Sequence, residues 1–132
     1  MKKVFVSYSF SQKGDFVPFH DQLKKFLNEK YSLEVYAFVF DFTDKVDDKE
    51  LMNRALAQID EADLVMVELS NKSIGVGIEA GYAKAKGKPI IYLHQEGTEI
   101  KQAMNGIAEL VITYQSVEDL IKQISNLEIL RG

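Results

Sequence analysis

The chain has no cysteine, which excludes a disulfide, a thiol nucleophile and any thiolate metal site. Its two histidines, His20 and His94, stand alone and do not make a zinc site. No apolar run approaches the roughly 20 residues of a membrane-spanning helix. The first residues are charged and lead into a short strand, without the long apolar core of a secretory signal, so the expectation is a cytoplasmic protein. Cations are in deficit as well: 16 Lys and Arg against 20 Asp and Glu leave a formal charge of -4. That balance argues against nucleic acid or an anionic membrane as main partner. A small anionic ligand held by local N–H groups stays open.

What remains is ordinary for a globular protein. Of 132 residues, 46% are hydrophobic and 27% charged, which suits one domain around one core over residues 1–132. Five apolar, β-branched or aromatic runs read as strands: Lys3–Tyr8, Leu33–Phe40, Leu64–Leu69, Pro89–His94 and Glu109–Thr113. Between them the spacing turns helical. Phe16, Phe19, Leu23, Phe26 and Leu27 fall on one face of a helix starting near Asp15. Leu51, Leu56 and Ile59 mark a second, behind an acidic run from Asp47 to Glu50 that suits a helix N-terminus. A third runs from about Gly75 to Lys86 and stops at Gly87, before Pro89. A short helix over Glu99–Asn105 and a last one over Val117–Leu127 follow, the latter opened by Ser116 and Asp119 in a capping-box-like pair. The alternation predicts an α/β three-layer sandwich, flavodoxin-like, with a five-stranded parallel sheet of order 2-1-3-4-5.

In such a sheet ligands bind outside the carboxyl ends of strands 1 and 3, where the strand order reverses. Those ends carry Ser7-Tyr8-Ser9-Phe10-Ser11-Gln12 and Ser70-Asn71-Lys72-Ser73-Ile74-Gly75, so two hydroxyl-rich loops flank one crevice. Gly75 and Gly77 then open the third helix, with Glu79 expected in its first turn beside unused backbone N–H groups. A carboxylate there should stay ionised and can face a developing positive charge. The plain alternative is a dipole-complementing residue on a solvated face. Gly75 and Gly77, which remove side chains where a ligand would approach, and Gly81, read as a close-packing position, favour chemistry. Gly75–Ala80 also fits the G-x-G-x-x-A dinucleotide pattern. That pattern belongs after the first strand, however, and a carboxylate inside the turn would repel pyrophosphate.

Ser7, Ser9, Ser70 and Ser73 can donate hydrogen bonds to a phosphate or sugar, or can simply cap and turn the chain. Tyr8 and Phe10 suit either stacking on a base or packing in the core. After strand 2, Asp41 or Asp44 can reach over the crevice as an acid–base group, while Asp47 and Asp48 suit helix capping. Lys84, Lys86 and Lys88 gather near a helix C-terminus, where the dipole favours cations. No Ser-His-acid triad assembles, and no metal or organic cofactor is implied.

Ala62-Asp63, the run Ser73-Ile74-Gly75-Val76-Gly77-Ile78-Glu79-Ala80-Gly81, and Gly87-Lys88-Pro89-Ile90 resemble the nucleoside 2-deoxyribosyltransferase family. The likeness is greatest to its branch of 2'-deoxynucleoside 5'-monophosphate N-glycosidases. It implies N-glycosidic cleavage or deoxyribosyl transfer on a nucleoside or nucleoside 5'-monophosphate. Glu79 would attack the anomeric carbon or stabilise its charge, with Ser73 and Ser9 near a 5'-phosphate. The resemblance also implies a homodimer in which a neighbouring subunit completes each site.

Departures from the pattern matter too. The family's acidic residue on the second helix falls at Ala55, its strand 1 tyrosine at Phe5, and the serine that reaches a partner's site near Gln102 or Ala103. Asp41 or Asp44 then substitutes for the acid, or Arg54 changes the substrate, or catalysis is reduced or lost. A catalytically silent nucleotide-binding or signalling module is therefore the alternative. Val4–Ser9 is also similar to the opening of TIR domains, some of which cleave NAD with a glutamate, which adds an NAD glycohydrolase as a third reading. A receiver domain is excluded by the absence of paired acids after strand 1. The serine-rich first loop weakly allows a flavodoxin that binds FMN.

Overall fold

The computed structural model describes residues 1–132. Five strands, β1 (Lys3–Ser7), β2 (Glu34–Tyr36), β3 (Leu64–Glu68), β4 (Ile90–Gln95) and β5 (Leu110–Tyr114), form one parallel sheet. Their order is β2-β1-β3-β4-β5, as the strand–helix alternation predicts. The helices are α1 (Val17–Tyr31), α2 (Phe38–Asp41), α3 (Asp48–Glu61), α4 (Ile74–Ala85), α5 (Gln102–Ile107) and α6 (Val117–Ile124). A 3-10 helix over Phe10–Phe16 leads into α1, and another follows α6 at Glu128–Leu130.

Strand alternation divides the core into two layers. Val4, Val6, Leu64 and Met66 pack with Leu23 and Leu27 of α1 and Leu120 and Ile124 of α6. On the other face Phe5, Val65 and Val67 pack with Ile59 of α3, Val76, Ala80 and Ala83 of α4, and Met104 of α5. Several starts follow their caps. Asp47 accepts from the Glu50 N–H at 2.8 Å, and Ser116 from the Asp119 N–H at 3.1 Å. Asp119 returns a bond to the N–H of Gln115, at 2.9 Å. Asp63 pins the start of β1, because its carboxylate accepts the N–H groups of Lys2 and Lys3 at 2.7 and 3.0 Å. Those bonds hold it below the usual carboxylate range.

Several expected boundaries move: α5 spans Gln102–Ile107 rather than Glu99–Asn105, and α6 ends at Ile124 rather than Leu127. The run Leu33–Phe40 is not one strand: β2 ends at Tyr36 and Phe38–Asp41 makes a single helical turn. Asp41 explains the switch, because its carboxylate accepts the Ala37 N–H at 2.8 Å while its own N–H donates to the Ala37 carbonyl. The first long helix begins at Val17 rather than Asp15, and the loop expected after β1 winds into the 3-10 turn. Pro18, in the first turn of α1, fits there because its missing N–H has no intrahelical partner to lose.

Candidate active site

A cavity of about 570 Å³ opens at the carboxyl end of β1, where the strand order reverses. Glu79 lines it and is only 9% exposed. The carboxylate gets there through helical periodicity: Val76, Glu79, Ala80 and Ala83 form the buried stripe of α4, so Glu79 takes a position that packing alone would give to an apolar residue. The helix starts at Ile74, which puts Glu79 in the second turn and not the first. Its side chain therefore contacts no free N–H groups. Ser7, on the same sheet face as Phe5, donates its hydroxyl to Oε1 at 2.5 Å, and no other group hydrogen-bonds to this carboxylate.

The expectation of an ionised group at neutral pH is corrected accordingly. Burial pushes the Glu79 carboxyl from 4.5 up to about 7, and the Ser7 hydrogen bond pulls only partly against it. The group is balanced between its two states near neutrality.

The two predicted loops do meet, and Asn71 Nδ2 donates to Gln12 Oε1 at 3.0 Å across them. Ser73 caps α4 by accepting the Val76 N–H at 3.3 Å, and with Gly75 it also lines the cavity. A Cβ on Gly75 would meet nothing within 4 Å, so the glycine leaves open space at the rim. Gly77 does not line the cavity, and Gly81 faces open space rather than a close neighbour.

Other candidates are tied to partners within the fold. Ser70 donates to Glu68 at 2.7 Å and accepts the Gln95 N–H at 2.8 Å, joining the ends of β3 and β4. Ser9 is buried and shares a 3.1 Å bond with Ser11. The Tyr8 ring packs against Phe16, Phe19, His20 and Phe40, and its hydroxyl bonds to His20 Nδ1 at 2.8 Å. Tyr8 does line the cavity, but it is only 2% exposed and its ring is enclosed by these neighbours. Asp41 is committed to the Ala37 N–H and lies off the cavity lining, whereas Asp44 is on it. Asp44 sits 3.7 Å from Arg54, which also bonds to Glu50 at 2.6 Å. Among the three lysines, Lys86 pairs with Asp60 and Lys88 donates to its carbonyl, tying α4 to α3.

Sequence reasoning misses the cavity's aromatic wall. Phe38 and Phe42 stack with ring centres 4.6 Å apart, and both line the cavity with Leu51, Met52 and Ala55. The signal is there in Phe38-Val39-Phe40-Asp41-Phe42, but a short apolar run does not separate strand from turn. Lys13 is the lysine on the lining, its ammonium 4.8 Å from the Phe10 ring. No three His, Asp or Glu side chains converge as a metal site, and no helix is long and apolar enough to cross a membrane.

A parallel 2-1-3-4-5 sheet with a buried glutamate facing a cavity at its switch point defines a small-molecule site of the doubly wound α/β class. The chain belongs to the nucleoside 2-deoxyribosyltransferase family, whose model matches residues 16–122. It is similar to 5-hydroxymethyl-dUMP N-hydrolase of Mus musculus, with 39% identity over 64 residues, covering 47% of this chain and 37% of the mouse protein. A Thermofilum pendens protein provisionally named 2'-deoxynucleoside 5'-phosphate N-hydrolase 1 is 31% identical over 94 residues, or 67% of this chain and 66% of that one. The match thus spans less than two thirds of either relative. In fold the chain is similar to the CMP N-glycosidase of Clostridium botulinum, with a TM-score of 0.72, 23% identity, and coverage of 93% and 98% of the two chains. It is also similar to a 2-deoxyribosyltransferase of Bacillus psychrosaccharolyticus, with a TM-score of 0.69, 13% identity and 90% of each chain.

Proposed function

We propose that the cavity cleaves the N-glycosidic bond of a nucleoside or nucleoside 5'-monophosphate, releasing the base to water or passing the sugar to a second base. The observation that carries this is Glu79: a buried carboxylate with one hydrogen-bond donor and no protein cation, facing open space at the topological switch point. Such a group is matched to positive charge developing on the anomeric carbon and ring oxygen as the base departs. In its ionised form it attacks that carbon or stabilises the charge. Ser73 and Gly75 are positioned for the sugar-phosphate end at the start of α4, where backbone N–H groups favour an anion. Asp44 is the other carboxyl group on the lining, paired with Arg54, and Asp41 lies off it. The family membership and the relatives' names support the same reaction class.

Apolar side chains surround this region: Phe10 is 70% exposed, Ile74 84% and Ile78 49%. They support a homodimer, with a neighbouring copy over the start of α4. A second reading, a nucleotide-binding module without turnover, is favoured by Ala55, which lines the cavity without an acid.

Chromatographic detection of free base from nucleosides and their 5'-monophosphates tests the proposal. Base release by the wild type and its loss in Glu79→Gln is the expected result. Equal release by both would remove Glu79 from the chemistry. Saturable nucleotide binding with no release would establish the binding module.

A further inference from the structure

The cavity is poor in proton donors on the side where a base can stack. Its α2–α3 side is built mainly from Phe38, Phe42, Leu51, Met52 and Ala55, and the polar groups there are the Thr43 hydroxyl and Asp44 in the loop between the two helices. Besides Glu79, the one carboxyl group on the lining is Asp44, which is 67% exposed and sits against Arg54. This matters because a neutral base leaves as an anion unless something protonates it. Enzymes that supply the proton gain about 10²–10⁴-fold from it. A base that is already cationic needs no donor, since it becomes neutral on leaving.

The remaining features of the site suit that leaving group. Aromatic faces attract cations, and the guanidinium of Arg54 already lies 5.7 Å from the Phe42 ring centre. Arg54 also offsets the charge of Asp44, so the uncompensated carboxylate in the cavity is Glu79. Lys13, on the 3-10 helix that Gln12 fastens to the β3–α4 loop, keeps its ammonium 4.8 Å from the Phe10 ring.

The geometry points to nucleotides whose base carries a positive charge before cleavage, N-alkylpyridinium or N7-alkylpurinium 5'-monophosphates, as the preferred substrates of this site. The inference rests on the glycosidase reading above. In the reaction the C1'–N bond breaks with both electrons going to the ring nitrogen, and the base leaves neutral. The positive charge passes to C1' and the ring oxygen beside Glu79. Water then adds to C1', and its proton leaves through the Glu79 carboxylate to solvent.

The test compares pairs that differ only in base charge: N7-methylguanosine 5'-monophosphate against GMP, with the two deoxyribose counterparts. Nicotinamide mononucleotide serves as the pyridinium arm, and its rate relative to the methylated purine separates the two sources of charge. The wild type should show a kcat/KM at least about 10²-fold higher for the methylated member of a pair. In Ala55→Asp, which adds a carboxyl group to the base side, that gap should narrow through faster release of the neutral base. Cleavage of GMP or dGMP within tenfold of its methylated partner by the wild type overturns the cationic-base assignment. If that cleavage is lost in Glu79→Gln, the glycosidase reading itself survives. Absence of base release from every substrate by folded protein overturns both.

Discussion

Two glutamates are buried at the carboxyl end of the sheet, one on each face, and they are treated differently. Glu68 ends β3 on the α1–α6 side and is 2% exposed. It accepts the Ser70 N–H at 2.9 Å, the Ser70 hydroxyl at 2.7 Å and the Tyr114 hydroxyl. Glu79 lies on the opposite face with Ser7 as its single donor. Burial raises both carboxyls, and the donors oppose it, three around Glu68 and one at Glu79. A carboxylate whose oxygens are occupied by the protein fastens strands together. One left open toward a cavity is available to a ligand. Burial alone does not distinguish the two; the number of donors does.

The comparison breaks most visibly if the two glutamates are changed to glutamine. Glu79→Gln should lower base release by about 10²–10³-fold, the scale of removing charge stabilisation from a reacting centre, and leave the fold intact. If Glu68→Gln produced a similar loss with unchanged stability, the division between the two roles would fail.

The next effect is a pH dependence. The native state binds the Glu79 proton more tightly than the unfolded chain, because burial raises its pKa to about 7. This contribution to stability is full below pH 4.5 and is lost as pH rises through about 7. It amounts to about 3 kcal/mol at most. Denaturant titrations from pH 4 to 8 should show Glu79→Gln gaining on the wild type as pH rises. A constant difference across that range would mean that the carboxyl is not desolvated. Activity should run the opposite way, with kcat/KM rising as Glu79 ionises around pH 7.

Glu68→Gln comes third. It replaces an acceptor with an amide N–H₂ facing the hydroxyls of Ser70 and Tyr114, and should cost about 1–3 kcal/mol in denaturant unfolding. Unchanged stability would show that Ser70 and Tyr114 reorganise freely, contrary to a clamp.

Much of this is legible in the sequence. The five strands and their order follow from apolar runs and alternation, and the crevice follows from the order. Glu79 stands out from its glycine-flanked segment, but its protonation does not, since whether a helical position is solvated or in the buried stripe is set by what packs against it, here Ser7 and the sheet. The roles of Ser70 and Tyr8 are hidden because a hydroxyl's partner is set by tertiary neighbours: Glu68 for one, His20 for the other. Asp41 is hidden for a related reason. Its bond to the Ala37 N–H ends the extended run, and nothing in a short apolar stretch announces a helical turn.

The finest test of the contrast is Ser7→Ala. Ser7 sits at the end of β1, in register with Val67, so the substitution leaves the strand pairing intact. It removes the one hydrogen bond that favours the charged form of Glu79, so the carboxyl should titrate above its wild-type pKa of about 7. A variant that merely disturbed packing would lose activity at every pH. Loss through protonation is different: base release at pH 7 should fall about tenfold, within the worth of a hydrogen bond to a charged group. It should climb back toward the wild-type plateau as the medium becomes alkaline. The pH–rate profile therefore separates the two, and a profile lowered in parallel without displacement would assign Ser7 to packing rather than to control of Glu79.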